Sequence, residues 1–467
     1  MKTLRHPFIF ILLFFLINSC SNQTDTVSFQ LDMREAIDKG WLNPAADKVG
    51  LRGDIHPLSW GETYLCDGPS KSGIYTLTVP FDYVSDSVEL NYKIKVDGTD
   101  NPDEGWQQGR NHRLILHKNI PQTVKQAWGA KAPEPRPTIS GLVDIIRDFD
   151  SDQLTSRDIY VYLPPGYHDS NQRYRVLYMH DGQNIFDEAS IGQEWGLDEA
   201  AETLINSGSI EPLIIVGIAN TSDRIDEYTP SRMHWQYSFT RMESNSANAT
   251  DGNYITESGE ALKVKTDGDT LKVILPGYEN WQNTIKQGAN TFYQPRAGIT
   301  FTFELNTQNN ATGVKASKPP MGGKGQQYND FIIEQLKPYI DSIYRTKASP
   351  EHTAIGGSSL GGLISLYTGL RHPETFHQIV ALSPSLWWDK AMLFEWVDAI
   401  KVNDKQKIWL YMGGQEGEEA VNNARSMHKL LKKSGWHVNY EEAELGQHNE
   451  TAWKQQANNI LFFVAGK

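Results

Sequence analysis

The chain has 467 residues and a formal net charge of −13, with 13 tryptophans and 2 cysteines. A chain of this length is expected to form two or three domains with sizeable hydrophobic cores. The acidic balance, with no basic patch to offset it, argues against a nucleic-acid partner.

The first 20 residues are predicted to be a leader peptide. Lys2 and Arg5 precede the apolar run 8–17, which is too short to span a bilayer. Residues 16–20 resemble a bacterial lipobox, in which the cysteine, here Cys20, is lipidated after cleavage. The alternative is a plain secretory signal. In either case we expect an exported protein, and with a lipid on Cys20 a membrane-anchored lipoprotein of the bacterial envelope, in the periplasm or on the cell surface.

Residues 26–120 are predicted to form a small all-β sandwich domain. Runs such as 74–79 and 90–96 alternate apolar and polar residues, and clusters of Gly, Asp and Pro separate them. Residues 121–138 are predicted to be a Pro-rich linker, because the prolines of 130–137 disfavour both helix and central strand.

Residues 139–467 show the alternation of strands and helices that predicts a mainly parallel sheet covered on both faces. Strands are predicted at 175–180, 213–218, 353–355, 378–382, 407–412 and 438–442, and helices at 195–205, 326–344, 363–370, 392–400, 418–433 and up to 464. The segment 232–318 interrupts the alternation with short β-like runs. A structureless loop of this length is improbable, so we predict an inserted β meander.

A glycine-rich turn at 356–362 joins a predicted strand to a predicted helix and contains the pattern G-x-S-x-G. This arrangement is the nucleophile elbow of an α/β-hydrolase, with Ser359 as the nucleophile. Gly357 and Gly361 leave room for the sharp turn, and the Leu360 N–H is aimed at the oxyanion. The alternative is a glycine-rich turn before an ordinary helix.

A serine nucleophile needs a base, and the base needs an orienting acid. In this fold the chain order is Ser, acid, His, each after a strand. Glu416 and His448 follow the last two predicted strands and are the candidates. The alternatives are an acidic helix start for Glu416 and a surface histidine for His448. The loop 180–184 follows an early strand and is expected to supply a second oxyanion donor, the alternative being a simple Asp-Gly turn. Neither a metal nor another cofactor is expected, since no second cluster with ligand spacing accompanies this loop.

Residues 139–467 resemble the esterase D family, which includes feruloyl and acetylxylan esterases of carbohydrate esterase family 1, enterochelin-type siderophore esterases and mycolyltransferases. The matching runs are 157–167, 178–184, 357–362, 382–388 and 448–453. The resemblance implies a serine carboxylic-ester hydrolase that acts through an acyl-enzyme on feruloyl or acetyl esters of carbohydrates or on siderophore-type esters. The roles it implies are nucleophile, acid and base for Ser359, Glu416 and His448, oxyanion donors for Leu360 and Gln183, and substrate contacts for Asp181 and Trp388.

Residues 26–118 resemble a starch-binding domain of carbohydrate-binding module family 20, through the runs 49–60, 92–94 and 106–111. The resemblance implies a glucan site made of Trp60, Lys93, Trp106 and Asn111. The alternative is a module that packs on the esterase and binds nothing. A rival function for the whole chain is a glycan-binding surface lipoprotein with an inactive hydrolase domain. The intact order of Ser, Glu and His argues against that rival.

Overall fold

The computed structural model describes most of the chain beyond the predicted leader. The described residues are 25–67, 72–81, 87–98, 105–118, 120–132, 137–190, 192–242, 249–267, 270–276, 281–295, 297–400 and 406–467. Cys20 and residues 133–136 of the predicted linker therefore lie outside the description. The chain divides into two compact units, residues 1–95 with 113–130 and residues 96–112 with 131–467.

Two small β-sheets form in the amino-terminal region. Their strands, and one short helix, are β1 (Asp25–Asp32), α1 (Arg34–Asp38), β2 (Lys48–Gly53), β3 (Tyr64–Leu65), β4 (Ile74–Phe81), β5 (Ser87–Asp97), β6 (His112–His117) and β7 (Gln122–Ala127). The sheets have the orders β4-β1-β7 and β3-β2-β5-β6. Alternate residues of β4 are buried, as expected for a strand with one face on a core. Phe29 of β1 meets Tyr92 of β5 edge to face across that core.

The predicted linker begins too early in the sequence. Gln122–Ala127 is strand β7, which pairs in parallel with residues 27–32 of β1. Five of its six side chains are polar or as small as alanine, so the segment carries little of the apolar alternation that predicts a strand. Backbone hydrogen bonds to a distant segment therefore decide its conformation.

The larger unit opens with four strands of its main sheet and two helices. These are β8 (Leu142–Phe149), β9 (Arg157–Leu163), β10 (Arg175–His180), α2 (Leu197–Asn206), β11 (Leu213–Ile218) and α3 (Arg224–Glu227). Short 3₁₀ turns occur at Tyr167–Asp169 and Gly182–Asn184.

The predicted insertion is a separate antiparallel sheet with its own hydrophobic core. Its strands are β12 (Arg232–Met233), β13 (Gln236–Arg241), β14 (Gly252–Ile255), β15 (Ala261–Asp267), β16 (Thr270–Ile274), β17 (Gln282–Asn283), β18 (Ile285–Lys286), β19 (Thr291–Gln294), β20 (Ile299–Leu305), β21 (Ala311–Ser317) and β22 (Met321–Gly322). The short pair β12 and β22 stands apart, and the nine-stranded order is β17-β16-β15-β14-β13-β21-β20-β19-β18. Strand β13 pairs with β21 at the centre of the sheet. This pair joins one meander, β13 to β17, with a second, β18 to β21. Phe239, Phe301 and Phe303 lie in the core of this sheet.

After the insertion the α/β alternation resumes. The elements are α4 (Gly325–Asp330), a π-helix (Phe331–Leu336), α5 (Lys337–Ile343), a 3₁₀ turn (Pro350–His352), β23 (Thr353–Ser358), α6 (Leu360–Arg371), β24 (Gln378–Leu382), α7 (Trp388–Ala399), β25 (Lys407–Gly413), α8 (Glu418–Lys433), β26 (His437–Ala443), α9 (Glu450–Lys454) and α10 (Ala457–Ala465). Among the described residues, every helix is too short or too polar to cross a membrane.

The main sheet has the strand order β26-β25-β24-β23-β10-β11-β9-β8. Strand β9 pairs antiparallel with β8 and β11, and the other pairs are parallel. Successive residues of β10, such as Leu177 and Tyr178, belong to different hydrophobic cores. The core on one face includes residues of α6 and α8, and the other includes residues of α2 and α10. The predicted fold class is confirmed. The chain has an α/β-hydrolase fold that carries a β-rich insertion, and a small β domain precedes this fold in the sequence.

Candidate active site

The turn between β23 and α6 holds Ser359 in a backbone conformation that side chains rarely adopt, with φ 57° and ψ −123°. The Ser359 N–H donates to Leu382 O at 3.0 Å, and its carbonyl accepts from Leu363 N–H at 3.0 Å. A Cβ on Gly357 would lie 3.0 Å from the carbonyl carbon of Gly361. The glycines therefore let the chain turn sharply enough to present the hydroxyl at the end of the strand.

Ser359, His448 and Glu416 form one hydrogen-bonded series. His448 Nε2 lies 2.9 Å from Ser359 Oγ, and His448 Nδ1 lies 2.6 Å from Glu416 Oε2. A carboxylate only accepts hydrogen bonds, so Nδ1–H donates to Glu416 and Nε2 accepts from the serine hydroxyl. The Glu416 side chain is 2% exposed and that of His448 is 44% exposed. The acid is thus shielded from water while the base stays accessible.

Glu416 is held by the loop that contains it. Its Oε1 accepts a hydrogen bond from Gly413 N–H at 2.9 Å and another from the Ser383 hydroxyl. A Cβ on Gly413 would come within 2.8 Å of this oxygen and 2.5 Å of Gly446 O, so only glycine fits. The Gln415 N–H donates to Gly446 O at 2.9 Å, which ties the loop of the acid to the loop that precedes His448.

The two predicted oxyanion donors belong to adjacent turns. Leu360 is the first residue of α6, where backbone N–H groups have no acceptor within the helix. Gln183 lies in the turn after β10, the strand next to β23, and its side-chain oxygen accepts from Asn220 N–H at 3.1 Å. A Cβ on Gly361 would lie 3.3 Å from Asp181 Oδ2, so this turn packs against the start of α6.

Asp181 does not present a free carboxylate to a ligand. It is 6% exposed, and its oxygens accept hydrogen bonds from Arg224 Nε at 2.7 Å and Arg224 Nη2 at 2.8 Å. The Asn220 side chain donates to it as well. Asp181 is thus engaged in a two-point ion pair that orders the turn, and its predicted substrate contact stays a prediction. Arg224 was not predicted, and no local sequence pattern marks it.

The predicted substrate contact at Trp388 stays a prediction, and the structure places the neighbouring Trp387 at the cleft. Trp388 is 2% exposed, and its Nε1–H donates to Ser231 O at 3.0 Å. Trp387 is 50% exposed and lines a cleft of about 480 Å³ together with His448. Residues 389–391 have left-handed backbone angles, so helical spacing does not indicate which indole faces the cleft.

Acidic side chains border the same cleft. Glu418 and Glu419 at the start of α8 line it, and both are exposed. Glu450, two residues after His448, is the first residue of α9, and burial raises its pKa.

His180 packs beside Gly357 and Gly361 of the elbow turn. Burial lowers its pKa to about 3, and its Nδ1 lies 3.0 Å from the Tyr328 hydroxyl. His180 is thus a neutral buried group.

The four residues of the predicted glucan site are all partly exposed, namely Trp60, Lys93, Trp106 and Asn111. The first two belong to the smaller unit, and the last two belong to segment 96–112 of the larger one. Within the smaller unit, a cleft of about 520 Å³ is lined by residues that include Ser59 and Glu62. Partial exposure of both indoles is compatible with sugar stacking, and the glucan site stays a prediction.

A protein-family model described as "Putative esterase" matches residues 154–257 and 305–464. Among curated proteins, YbbA of Bacillus subtilis is 25% identical over 198 residues, 39% of this chain and 76% of YbbA. The ferri-bacillibactin esterase BesA of Bacillus subtilis is 30% identical over 120 residues, 24% of this chain and 41% of BesA. The iron(III) enterobactin esterase of Dickeya dadantii is 26% identical over 139 residues, 26% of this chain and 32% of that enzyme. The chain thus spans less than half the length of these two siderophore esterases.

A solved structure shares the fold. The enterobactin esterase FES from Shigella flexneri, in the presence of enterobactin, aligns with a TM-score of 0.51 and 13% identity. The alignment covers 89% of this chain and 88% of the other. At this identity the likeness concerns the fold alone.

Proposed function

The chain belongs to this esterase family, and on that premise we propose that it is a serine carboxylic-ester hydrolase. The observation that carries the proposal is the continuous series Ser359, His448, Glu416, with both hydrogen bonds at 2.9 Å or less. An inactive hydrolase domain would be under no constraint to keep all three groups in contact. The glycan-binding rival with an inactive domain therefore has less support.

The proposed reaction runs in two halves. Ser359 Oγ attacks the ester carbonyl carbon while His448 Nε2 takes its proton, and Glu416 stabilises the imidazolium that forms. The N–H groups of Leu360 and Gln183 are the proposed donors to the oxyanion. The alcohol leaves with the proton from His448 and an acyl-enzyme remains. Water, deprotonated by the same imidazole, then releases the acid and restores the serine.

The substrate is proposed to be a feruloyl or acetyl ester of a carbohydrate, or a siderophore-type ester. The exposed indole of Trp387 offers a flat apolar surface to an aromatic acyl group or a sugar ring. Glu418 and Glu419 place negative charge at the same cleft. A ferric catecholate complex is polyanionic and would be repelled there, whereas neutral sugar esters and an iron-free catecholate lactone would not. We therefore expect neutral esters to be preferred.

Two further parts of the proposal concern the amino-terminal region. We propose that the region 26–118 binds glucan, as its resemblance to a starch-binding module implies, with Trp60 and Trp106 each as a sugar-stacking residue, and that this binding directs the esterase to a polysaccharide. We also propose that the protein is exported and anchored through a lipid on Cys20. Both rest on the sequence motifs.

The experiment that tests the esterase proposal compares the purified protein with its Ser359→Ala variant. The substrates are an activated short-chain ester, feruloyl and acetylated sugars, and a catecholate lactone with and without iron. Loss of the nucleophile should lower kcat at least roughly 10³-fold. Ser342→Ala, a change at an exposed serine of α5, is the matched control. If kcat of Ser359→Ala is close to that of Ser342→Ala, the esterase proposal is contradicted. If the ferric catecholate lactone is hydrolysed faster than the iron-free form, the expectation that the acidic cleft repels the ferric complex is contradicted.

A further inference from the structure

The turn that follows β24 contacts the proposed acid at the carboxylate oxygen that His448 does not contact. Ser383 is 1% exposed, and its backbone has the left-handed φ of 44° that is uncommon for serine. Its hydroxyl donates to Glu416 Oε1 and accepts a hydrogen bond from Trp453 Nε1–H at 3.1 Å. The reaction proposed above uses neither side chain. A strained residue that contacts the acid suggests that the turn is built for that contact.

The chemistry of the three groups fixes the direction of these hydrogen bonds. An indole N–H can only donate, and a carboxylate can only accept. A serine hydroxyl can rotate, but the Ser383 oxygen accepts a hydrogen bond from Trp453 Nε1–H, so its own proton points away from the indole. The Ser383 proton is therefore directed to Glu416, and the series has one polarity from Trp453 to the carboxylate.

This series orients the carboxylate. Ser383 and Gly413 N–H both bind Oε1, so the plane of the carboxylate is set and Oε2 is left to accept from His448 Nδ1 at 2.6 Å. The His448 side chain is 44% exposed, so burial alone does not hold its ring. The fixed acceptor Oε2 therefore constrains the orientation of the imidazole.

Trp453 contacts both His448 and Ser383, because helix α9 begins two residues after His448. Asn449 caps α9 by accepting from Ala452 N–H at 2.9 Å. One turn of α9 brings the Trp453 ring to 5.2 Å from the His448 ring, at an interplanar angle of 82°. Trp453 is 5% exposed. The same indole therefore contacts the base with its ring and Ser383 with its N–H.

We infer that Ser383 and Trp453 are positioning residues, which hold Glu416 and through it His448 in the reactive orientation. This inference rests on the proposed serine-esterase function. Removing the Ser383 hydroxyl should lower kcat roughly 10- to 150-fold, the effect of one hydrogen bond to a charged group, with KM within about twofold of the original. Trp453→Phe keeps a ring but removes the donor, and a smaller fall of roughly 3- to 10-fold is expected.

The experiment combines kinetics with a signal that does not need turnover. Ser383→Ala, Trp453→Phe and Glu416→Gln are compared singly, and Ser383→Ala is combined with Glu416→Gln. Because Ser383 acts through Glu416, its loss should cost less than about threefold in the double variant. The far-downfield proton resonance of His448 Nδ1–H should shift in Ser383→Ala and vanish in Glu416→Gln. Thr353→Val, which removes a buried hydroxyl at the other end of β23, is the control and should change neither readout.

Several results would overturn the inference. Additive losses in the double variant would mean that Ser383 acts independently of the acid. An unshifted Nδ1–H resonance in Ser383→Ala would mean that its hydroxyl does not orient the carboxylate. If the serine variant does not fold, Trp453→Phe decides the question by the same resonance. A resonance that behaves as expected in a protein that hydrolyses no ester would contradict the proposed function and leave the positioning role supported.

Discussion

Glu416→Gln tests the proposed acid with a change that keeps the size of the side chain. The carboxylate accepts three hydrogen bonds, from His448 Nδ1, Gly413 N–H and the Ser383 hydroxyl. An amide has one oxygen, so its NH₂ group must face one of these donors. If the oxygen keeps Gly413 and Ser383, the NH₂ group faces Nδ1. The imidazole proton then moves to Nε2, where it blocks proton transfer from Ser359.

The size of the effect separates two explanations. Loss of one charge-assisted hydrogen bond, about 1.5–3 kcal/mol, would lower kcat only roughly 10- to 150-fold. The wrong tautomer and the lost stabilisation of the imidazolium together lower kcat on the order of 10⁴-fold in serine hydrolases. We expect the larger value for Glu416→Gln, because the two donors to Oε1, the Gly413 N–H and the buried Ser383 hydroxyl, hold the amide oxygen and leave the NH₂ group facing Nδ1.

The assay is kcat on an activated ester, with the melting temperature as a check on folding. Glu418→Gln is the matched control, since this exposed carboxylate lies two residues further on at the same cleft. It should keep kcat within about threefold of the original. The reasoning is refuted if Glu416→Gln lowers kcat by less than roughly 150-fold, the most that one lost hydrogen bond would cost, or if Glu418→Gln lowers it as much.

Three other predictions concern different parts of the chain. Burial lowers the pKa of His180 to about 3, so stability is complete above the ordinary histidine range and declines as the pH falls below it. The free energy of unfolding in urea should fall by up to about 2 kcal/mol from about pH 7 to about pH 5, and an equal fall in His180→Gln would exclude this cause. Trp106→Ala should weaken retention on a glucan without changing hydrolysis of a small ester, and the glucan proposal fails if the native protein is not retained. Cys20→Ser should move the protein from membranes to a soluble exported fraction, and unchanged membrane fractionation would contradict the lipid anchor.

Local patterns in the sequence identified the main elements of the larger unit. Strands buried on both faces, such as Gln378–Leu382, appear as continuous apolar runs, and the amphipathic helix Glu418–Lys433 has the bounds predicted for it. The edge strand Leu142–Phe149 was not predicted, because it is mostly exposed and lacks that signal. The helix predicted at 326–344 contains a π-helical segment that no periodicity of apolar residues reveals.

The candidate triad was predictable because chain order and strand ends are sequence properties. Parallel strands finish at the same edge of a sheet, so Ser359, Glu416 and His448 were expected near one another before any distance was known. The orientation of neighbouring side chains was not predictable. Trp387 rather than Trp388 lines the cleft, and the left-handed angles of residues 389–391 remove the helical spacing that could have indicated this. Asp181 is engaged by Arg224, which is 43 positions away in the sequence.

The sequence by itself therefore determined the fold class and the three groups of the proposed reaction, since these depend on local periodicity and on order along the chain. Only the tertiary structure decided how the groups are held. The hydrogen bond from Ser383 to Glu416 joins residues 33 positions apart, and the one from Trp453 to Ser383 joins residues 70 positions apart. Ser383 also has an unusual backbone angle. Such contacts form only when the whole sheet has assembled, because a short-range pattern carries no information about which distant side chain a buried polar atom will meet.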